Sequence, residues 1–328
     1  MIRAGIAGLG AYAPARLLTN RDLERMVGTS DEWIVKRTGI RERRIADESE
    51  ATSDLAVPAA RQALERAGVA PSEVDLIVVG TSFPDMVFPS TANFVQHKLG
   101  AGRAGSVDVS AACSGSVYSL SVGAQYIETG KYRTVLTIGA EVYSRLVDWK
   151  DRRTCVLFGD GAGAAVLRPA ADGSGILDTD LYSDGQYWDL LYVPGGRSRH
   201  PATRESVAQG LQYLKMPRGE EVFKVAVRTL ADASLAILEK NGFGPDAVDL
   251  FVPHQANIRI IEAVAKRLHL PMEKVVVNVD RYGNTAAASV YVAFAEAWAQ
   301  GRVRPGALVL LATFGGGFTW GTALVRWS

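Results

Sequence analysis

Read for the spacing of its apolar positions, the chain alternates two patterns from Ile6 onward. Apolar residues recurring every three or four positions predict helices over 52–67, 90–99, 114–129, 222–240, 257–268 and 286–300. Short continuous apolar runs predict strands at 76–79, 135–138, 162–167, 250–252, 275–279 and 308–311. Strands and helices in alternation point to an α/β fold. The stretches 144–153 and 195–219 are polar, charged or punctuated by Gly and Pro, and read as loops near a mouth.

Two apolar stretches could mislead. Residues 306–325 form a run of twenty without a charge, but Gly315, Gly316 and Gly317 interrupt it. Two buried strands around a turn suit it better than a membrane helix. The start, MIRAGIAGLGAYAP, is too short and too glycine-rich for a signal peptide and predicts a first strand and turn. Its GLGAYAP at 8–14 fits a dinucleotide-binding G-x-G-x-x-A only loosely, because Pro14 interrupts the helix that should follow. The glycines are expected in a turn.

The chain also repeats itself. PSEVDLIVVG at 71–80 is echoed by GPDAVDLFVPHQ at 244–255, and KYRTVLTIGAE at 131–141 loosely by RVRPGALVLLATFG at 302–315. Cys113 precedes Gly130 by 17 residues and Asn284 precedes Gly301 by 17, so the two are expected at equivalent turns. His254 directly follows a strand in the second copy. Strand ends converge in open α/β sheets, and a duplicated fold of residues 1–170 and 171–328 brings Cys113, His254 and Asn284 together across a pseudo-twofold axis.

Cys113 draws attention on its own, between a short strand (Val107, Val109) and a helix. The positive end of a helix stabilises the nucleophilic thiolate, and small neighbours from Ala111 to Ser116 leave the sulfur approachable. Cys155, by contrast, reads as structural, and His97, His200 and His269 have no evident partner. A net charge of +1 offers no strong field for nucleic acid or an acidic membrane. Two cysteines in 328 residues argue against a disulfide scaffold, and no Cys/His spacing suggests zinc, so a reducing cytoplasm without a metal is expected.

Beyond these local readings, ordered motifs run nearly end to end: DEWIVKRTGIRER (31–43), the Cys113 turn, FGDGAGAAVL (158–167), EVFKVAV (221–227), VPHQANIRI (252–260), DRYGNTAAASV (280–290) and FGGGFTWG (314–321). By these the chain resembles the thiolase-like condensing enzymes, specifically the β-ketoacyl-acyl carrier protein synthase III family. The resemblance implies a duplicated fold layered αβαβα. It implies that Cys113 takes an acyl group from acyl-CoA as a thioester, with the backbone N–H groups of Cys113 and Gly316 as oxyanion hole. His254 and Asn284 would hydrogen-bond the thioester carbonyl of malonyl-acyl carrier protein as CO₂ leaves. Neutral donors suit that step, because negative charge develops on oxygen.

The same resemblance puts Trp33 and Arg152 around the adenine of CoA, Arg37 near its phosphates, Asn257 on pantetheine and Gly219 along the tunnel. Arg259, Lys266 and Arg267, on one face of a helix, and Lys224 would meet an acidic carrier protein. Phe158 and, across a homodimer, Phe88 would close the acyl pocket. Ser116 stands where the family usually has Phe, and the loop 197–218 looks longer than is common, which leaves open a longer or branched primer. No cofactor is implied beyond the thioester substrates. Two other readings stay open: a starter-unit condensing enzyme or acyltransferase of specialised, polyketide-type biosynthesis, and a non-catalytic carrier-protein-binding subunit. A biosynthetic thiolase fits less well, because FGGGFTWG lacks a second cysteine.

Overall fold

A computed structural model describes residues 2–170 and 173–328. Its strands are β1 (Ala4–Tyr12), β2 (Arg16–Thr19), β3 (Glu42–Ile45), β4 (Leu76–Gly80), β5 (Gly105–Val109), β6 (Val135–Glu141), β7 (Gly161–Pro169), β8 (Gly175–Ser183), β9 (Leu250–Pro253), β10 (Leu308–Gly315) and β11 (Thr319–Arg326). Its α-helices are α1 (Asn20–Met26), α2 (Asp31–Thr38), α3 (Thr52–Ala67), α4 (Thr91–Leu99), α5 (Gly115–Glu128), α6 (Arg204–Ala208), α7 (Gly219–Lys240), α8 (Ile258–Arg267), α9 (Val279–Tyr282) and α10 (Ser289–Ala299).

Residues 4–169 build a five-stranded sheet ordered β1-β7-β6-β4-β5, and residues 175–326 a four-stranded sheet ordered β8-β11-β10-β9. The pairing senses repeat: β1 and β8 lie antiparallel to β7 and β11, these antiparallel to β6 and β10, and these parallel to β4 and β9. In place of a fifth strand the second sheet has one parallel bridge, Phe251 to Val275. The strand expected over 275–279 does not form, because Gln255 Oε1 accepts the N–H groups of Asn278 and Val279 and turns the chain into α9. The boundary drawn at 170/171 touches residues 171–172, outside the described residues.

Five layers stack in the order αβαβα. Helices α3 and α4 cover the outer face of the first sheet, α5 and α10 lie between the sheets, and α7 with α8 covers the second. The central helices are almost wholly apolar or small because both faces are buried. Helix α3 buries Leu55, Ala59, Ala60, Ala63 and Leu64 at helical spacing and stops at Gly68, whose φ of 62° suits a residue without Cβ. Gly8 and Gly10 lie inside β1 rather than in a turn. A Cβ at either would collide with the carbonyl of Ala63 or Ala59 on α3, so these glycines serve close helix-to-strand packing. The charge-free run 306–325 forms the hairpin β10–β11, and no helix of the described residues is long and apolar enough to cross a membrane.

Candidate active site

The two central helices each begin in a single 3₁₀ turn, Ala112–Ser114 before α5 and Ala286–Ala288 before α10. Ala112 and Ala286 share a φ of 46°, unusual for a residue with Cβ. This marks Ala287, not Asn284, as the counterpart of Cys113. Counting back from Gly130 and Gly301 misaligns the copies because α5 has 14 residues and α10 only 11. Asn284 sits one turn upstream of that counterpart, and its position is still fixed. Its backbone N–H donates to Leu157 O (2.8 Å), its carbonyl accepts from Gly159 N–H (3.1 Å), and its Oδ1 accepts from Ala286 N–H (2.8 Å). With Oδ1 engaged, the Nδ2 donor is left for the cavity.

His254 follows β9, its N–H bonded to Ala312 O on β10 (2.8 Å), and its Nδ1 lies 2.6 Å from Ser289 Oγ at the start of α10. Burial pushes the imidazole down to about 3, so it is neutral. Gln255 braces the next residue, donating from Nε2 to Pro253 O and Val276 O. Cys113 is held from the other side: Ser114 Oγ donates to Thr319 O (3.0 Å) and Thr319 Oγ1 to Ala111 O (2.8 Å), which ties the start of β11 to the nucleophile turn. Gly315 backs onto that turn so closely that a Cβ would lie 2.6 Å from Cys113 N, and a Cβ on Gly316 would meet Leu191 O at 2.7 Å.

Cys113, His254 and Asn284 all border one cavity of about 590 Å³, a size suited to a small-molecule chain. Trp33, Arg37, Phe158, Gly219, Lys224, Asn257 and Arg259 line it as well. Trp33 and Arg37 are four residues apart on α2, a helix that the apolar pattern did not reveal because only Ile34 and Thr38 are buried. Arg152 has its guanidinium 5.1 Å above the Trp33 ring, with Nη1 donating to Gly28 O. A flat base between them needs roughly 7 Å, two van der Waals layers, so Arg152 must swing away to admit one. Asn257 caps α8 by accepting Ile260 N–H, which keeps its amide N–H groups free. Arg259 packs over Phe223 beside the mouth, while Lys266 and Arg267 lie in the last turn of α8 and do not border the cavity.

Two expectations change, those for Ser116 and for the Cys113 thiolate. Ser116 is fully buried on α5, its carbonyl taking the Tyr291 hydroxyl, and it does not line the cavity because α5 turns this face toward α10. Phe88, expected to act across a homodimer, is 81% exposed and does not line this chain's own cavity. Cys113, finally, is not a resting thiolate: burial pushes its thiol up, and the Glu141 carboxylate adds to the effect. Glu141, which sequence reasoning missed, ends β6 fully buried. It accepts bonds from Thr81 Oγ1, from the N–H and hydroxyl of Ser82, and from Phe83 N–H, yet burial still pushes it up to about 7. Cys155 is buried, as expected of a structural residue, and among the described residues no cluster of three or more His, Cys, Asp or Glu could hold a metal.

Comparison with known proteins adds the chemistry's context. The family model described as 3-Oxoacyl-[acyl-carrier-protein (ACP)] synthase III matches residues 107–185, and its C-terminal counterpart matches 238–327. The chain is 52% identical over 327 residues to a beta-ketoacyl-[acyl-carrier-protein] synthase III of Caldanaerobacter subterraneus subsp. tengcongensis, covering 100% of this chain and 98% of that protein. The crystal structure of 3-oxoacyl-[acyl-carrier-protein] synthase III from Aquifex aeolicus superposes with a TM-score of 0.91 at 48% identity, covering 99% of this chain and 100% of that one. The priming β-ketosynthase of the R1128 polyketide pathway superposes at 0.92 with 36% identity, covering 99% and 96%.

Proposed function

Since this chain belongs to the β-ketoacyl-[acyl-carrier-protein] synthase III family of condensing acyltransferases, we propose a ping-pong route through an acyl-Cys113 intermediate for its reaction. The enzyme condenses an acyl-CoA primer with malonyl-acyl carrier protein, the step that initiates fatty acid synthesis. The observation that carries the route is the convergence of Cys113, His254 and Asn284 on one cavity whose outer wall bears Trp33, Arg37 and Arg259.

In the first half-reaction Cys113 Sγ forms a bond to the acyl carbonyl, the carbon–sulfur bond to CoA breaks, and the thiol proton leaves with CoA as CoA–SH. Because burial favours the protonated thiol, attack and proton transfer are coupled rather than sequential. The oxyanion formed meets the N–H groups of Cys113 and Gly316, and the tight backing of Gly315 supports their fixed spacing. In the second half-reaction the bond from the malonyl α-carbon to its carboxylate breaks and CO₂ leaves. The thioester oxygen takes up the charge as an enolate, held by His254 Nε2–H and Asn284 Nδ2–H. Both groups are neutral, so they stabilise the charge that develops without binding the starting carboxylate as strongly. The enolate carbon attacks acyl-Cys113, the thioester bond to Cys113 breaks, and the product leaves as 3-oxoacyl-acyl carrier protein. The thiolate recovers its proton from solvent.

Lys224 and Arg259 at the mouth suit an acidic carrier protein, and Trp33 with Arg37 and Arg152 suits a nucleotide. The reading needs no cofactor beyond the thioesters, and two free cysteines support a reducing cytoplasmic setting. A homodimer is supported by the exposed apolar run Met86 (48%), Val87 (68%) and Phe88 (81%) beside the open edge strand β5. In a dimer Phe88 would reach the partner's cavity. Release of CO₂ and formation of 3-oxoacyl-carrier protein, measured with acyl-CoA primers from two to eight carbons, straight and branched, tests the reaction and ranks primers. No product with any primer would sink it.

A further inference from the structure

Ser289 is buried at the first position of α10, and its hydroxyl sits 2.6 Å from His254 Nδ1. The same oxygen accepts the backbone N–H of Gln255 at 3.4 Å. A hydroxyl has one proton to give and two lone pairs to offer. If His254 carried its proton on Nδ1, Ser289 Oγ would receive two N–H groups, and its own proton would have no acceptor among the described residues. With Ser289 donating to Nδ1, every group is satisfied, and the imidazole proton has to sit on Nε2.

We propose that Ser289 is a positioning residue that locks His254 as the Nε2–H tautomer, which makes it a donor toward the cavity and denies it the role of base for Cys113. The proposal deepens the condensation reading and rests on it. It also assigns the two halves of the site matching devices. The N–H of Ala286 fixes which end of the Asn284 amide faces the substrate, and the hydroxyl of Ser289, three residues on, fixes which nitrogen of His254 does. One short segment, 284–289, thereby orients both donors that would hold the enolate.

The test is Ser289→Ala, which removes the hydroxyl and little volume. Two readouts are needed: nitrogen-15 NMR of ring-labelled histidine, and the separate rates of Cys113 acylation and malonyl condensation. Wild type is expected to show His254 neutral with its proton on Nε2. In Ser289→Ala the proton is expected to shift toward Nδ1, with condensation slowed about 10- to 100-fold, the usual cost of losing the partner that orients a functional histidine. Acylation should stay within about threefold, since the proposal gives His254 no part in it. Nδ1–H in wild type would overturn the proposal even if the variant failed to fold. Equal slowing of both steps, or an unchanged tautomer with unchanged condensation, would also overturn it. If wild type forms no acyl-enzyme with any primer, the condensation reading fails instead, while the tautomer measurement still judges Ser289.

Discussion

Gly315→Ala probes the oxyanion hole without touching a side chain that could react. The added Cβ would stand 2.6 Å from Cys113 N, 3.1 Å from Ala112 Cβ and 3.1 Å from Ser114 N, where ordinary contact begins at 3.4 Å. All the neighbours belong to the nucleophile turn, and two are backbone atoms, so no flexible side chain can yield. The turn or the end of β10 must retreat by about 0.8 Å, a misplacement that costs on the order of 10²-fold in a positioned reaction. Loss of one oxyanion donor gives a similar figure, about 10²- to 10³-fold, or roughly 2.7–4 kcal/mol of transition-state stabilisation. The assay is the burst of CoA released when enzyme meets acyl-CoA in a single turnover. Gly102→Ala, whose Cβ would meet nothing within 4 Å, is the control. We expect the Gly315→Ala burst to slow about 100-fold while the control is unchanged. A variant that folds like wild type and acylates within threefold would refute the view that the Cys113 N–H stabilises the oxyanion.

Four further outcomes follow from the same geometry. Asn284→Asp keeps the acceptor for Ala286 N–H but turns a carboxylate toward the enolate, so condensation should fall at least 10²-fold while acylation changes little; equal losses in separate half-reaction assays would contradict this. His254 is neutral when folded and titrates near its ordinary 6.5 when unfolded, so the unfolded chain binds the extra proton below that pH. Its contribution to stability is complete above pH 6.5 and declines by about 1.4 kcal/mol per unit below it. Urea titrations at pH 4–7 on wild type and His254→Asn should show this slope in the difference between their stabilities, because the opposing contribution of Glu141 is common to both. Glu141→Gln removes a charge that opposes the Cys113 thiolate, so alkylation by iodoacetamide should speed up. Because Glu141 gains its charge around pH 7, the excess over wild type should grow from pH 6 to 8; an excess that shrinks would point to altered access instead. Trp33→Ala should raise the KM for acyl-CoA about tenfold with kcat nearly unchanged, since stacking contributes roughly 1–3 kcal/mol to binding; a fall in kcat alone would place Trp33 elsewhere.

Periodicity made the large elements legible because burial is two-sided: α3 and α5 and the strands β4, β6 and β10 are apolar where they must be. The repeat likewise exposed the paired sheets, since each copy obeys the same packing. What stayed hidden depends on side chains that organise backbone. Gln255 bends 278–279 away from a strand, and no spacing in the sequence tells that a glutamine at 255 takes those N–H groups. The wrong equivalence of Cys113 and Asn284 came from trusting the helix stops, although the two helices differ by nearly one turn; the paired left-handed alanines at 112 and 286 carry the true register. Cys113, His254 and Asn284 were nameable from motif and topology together. Ser289 and Glu141 were not, because each acts on a partner from another part of the chain, Ser289 on His254 and Glu141 on Cys113.

Intact-mass spectrometry after mixing the enzyme with acyl-CoA, and again after adding malonyl-acyl carrier protein, tests the central claim most directly. The account predicts a mass gain of one acyl group in wild type, none in Cys113→Ala, and complete discharge by malonyl-acyl carrier protein with appearance of the 3-oxoacyl product. An adduct that persists in Cys113→Ala, or one that malonyl-acyl carrier protein leaves in place, would contradict it.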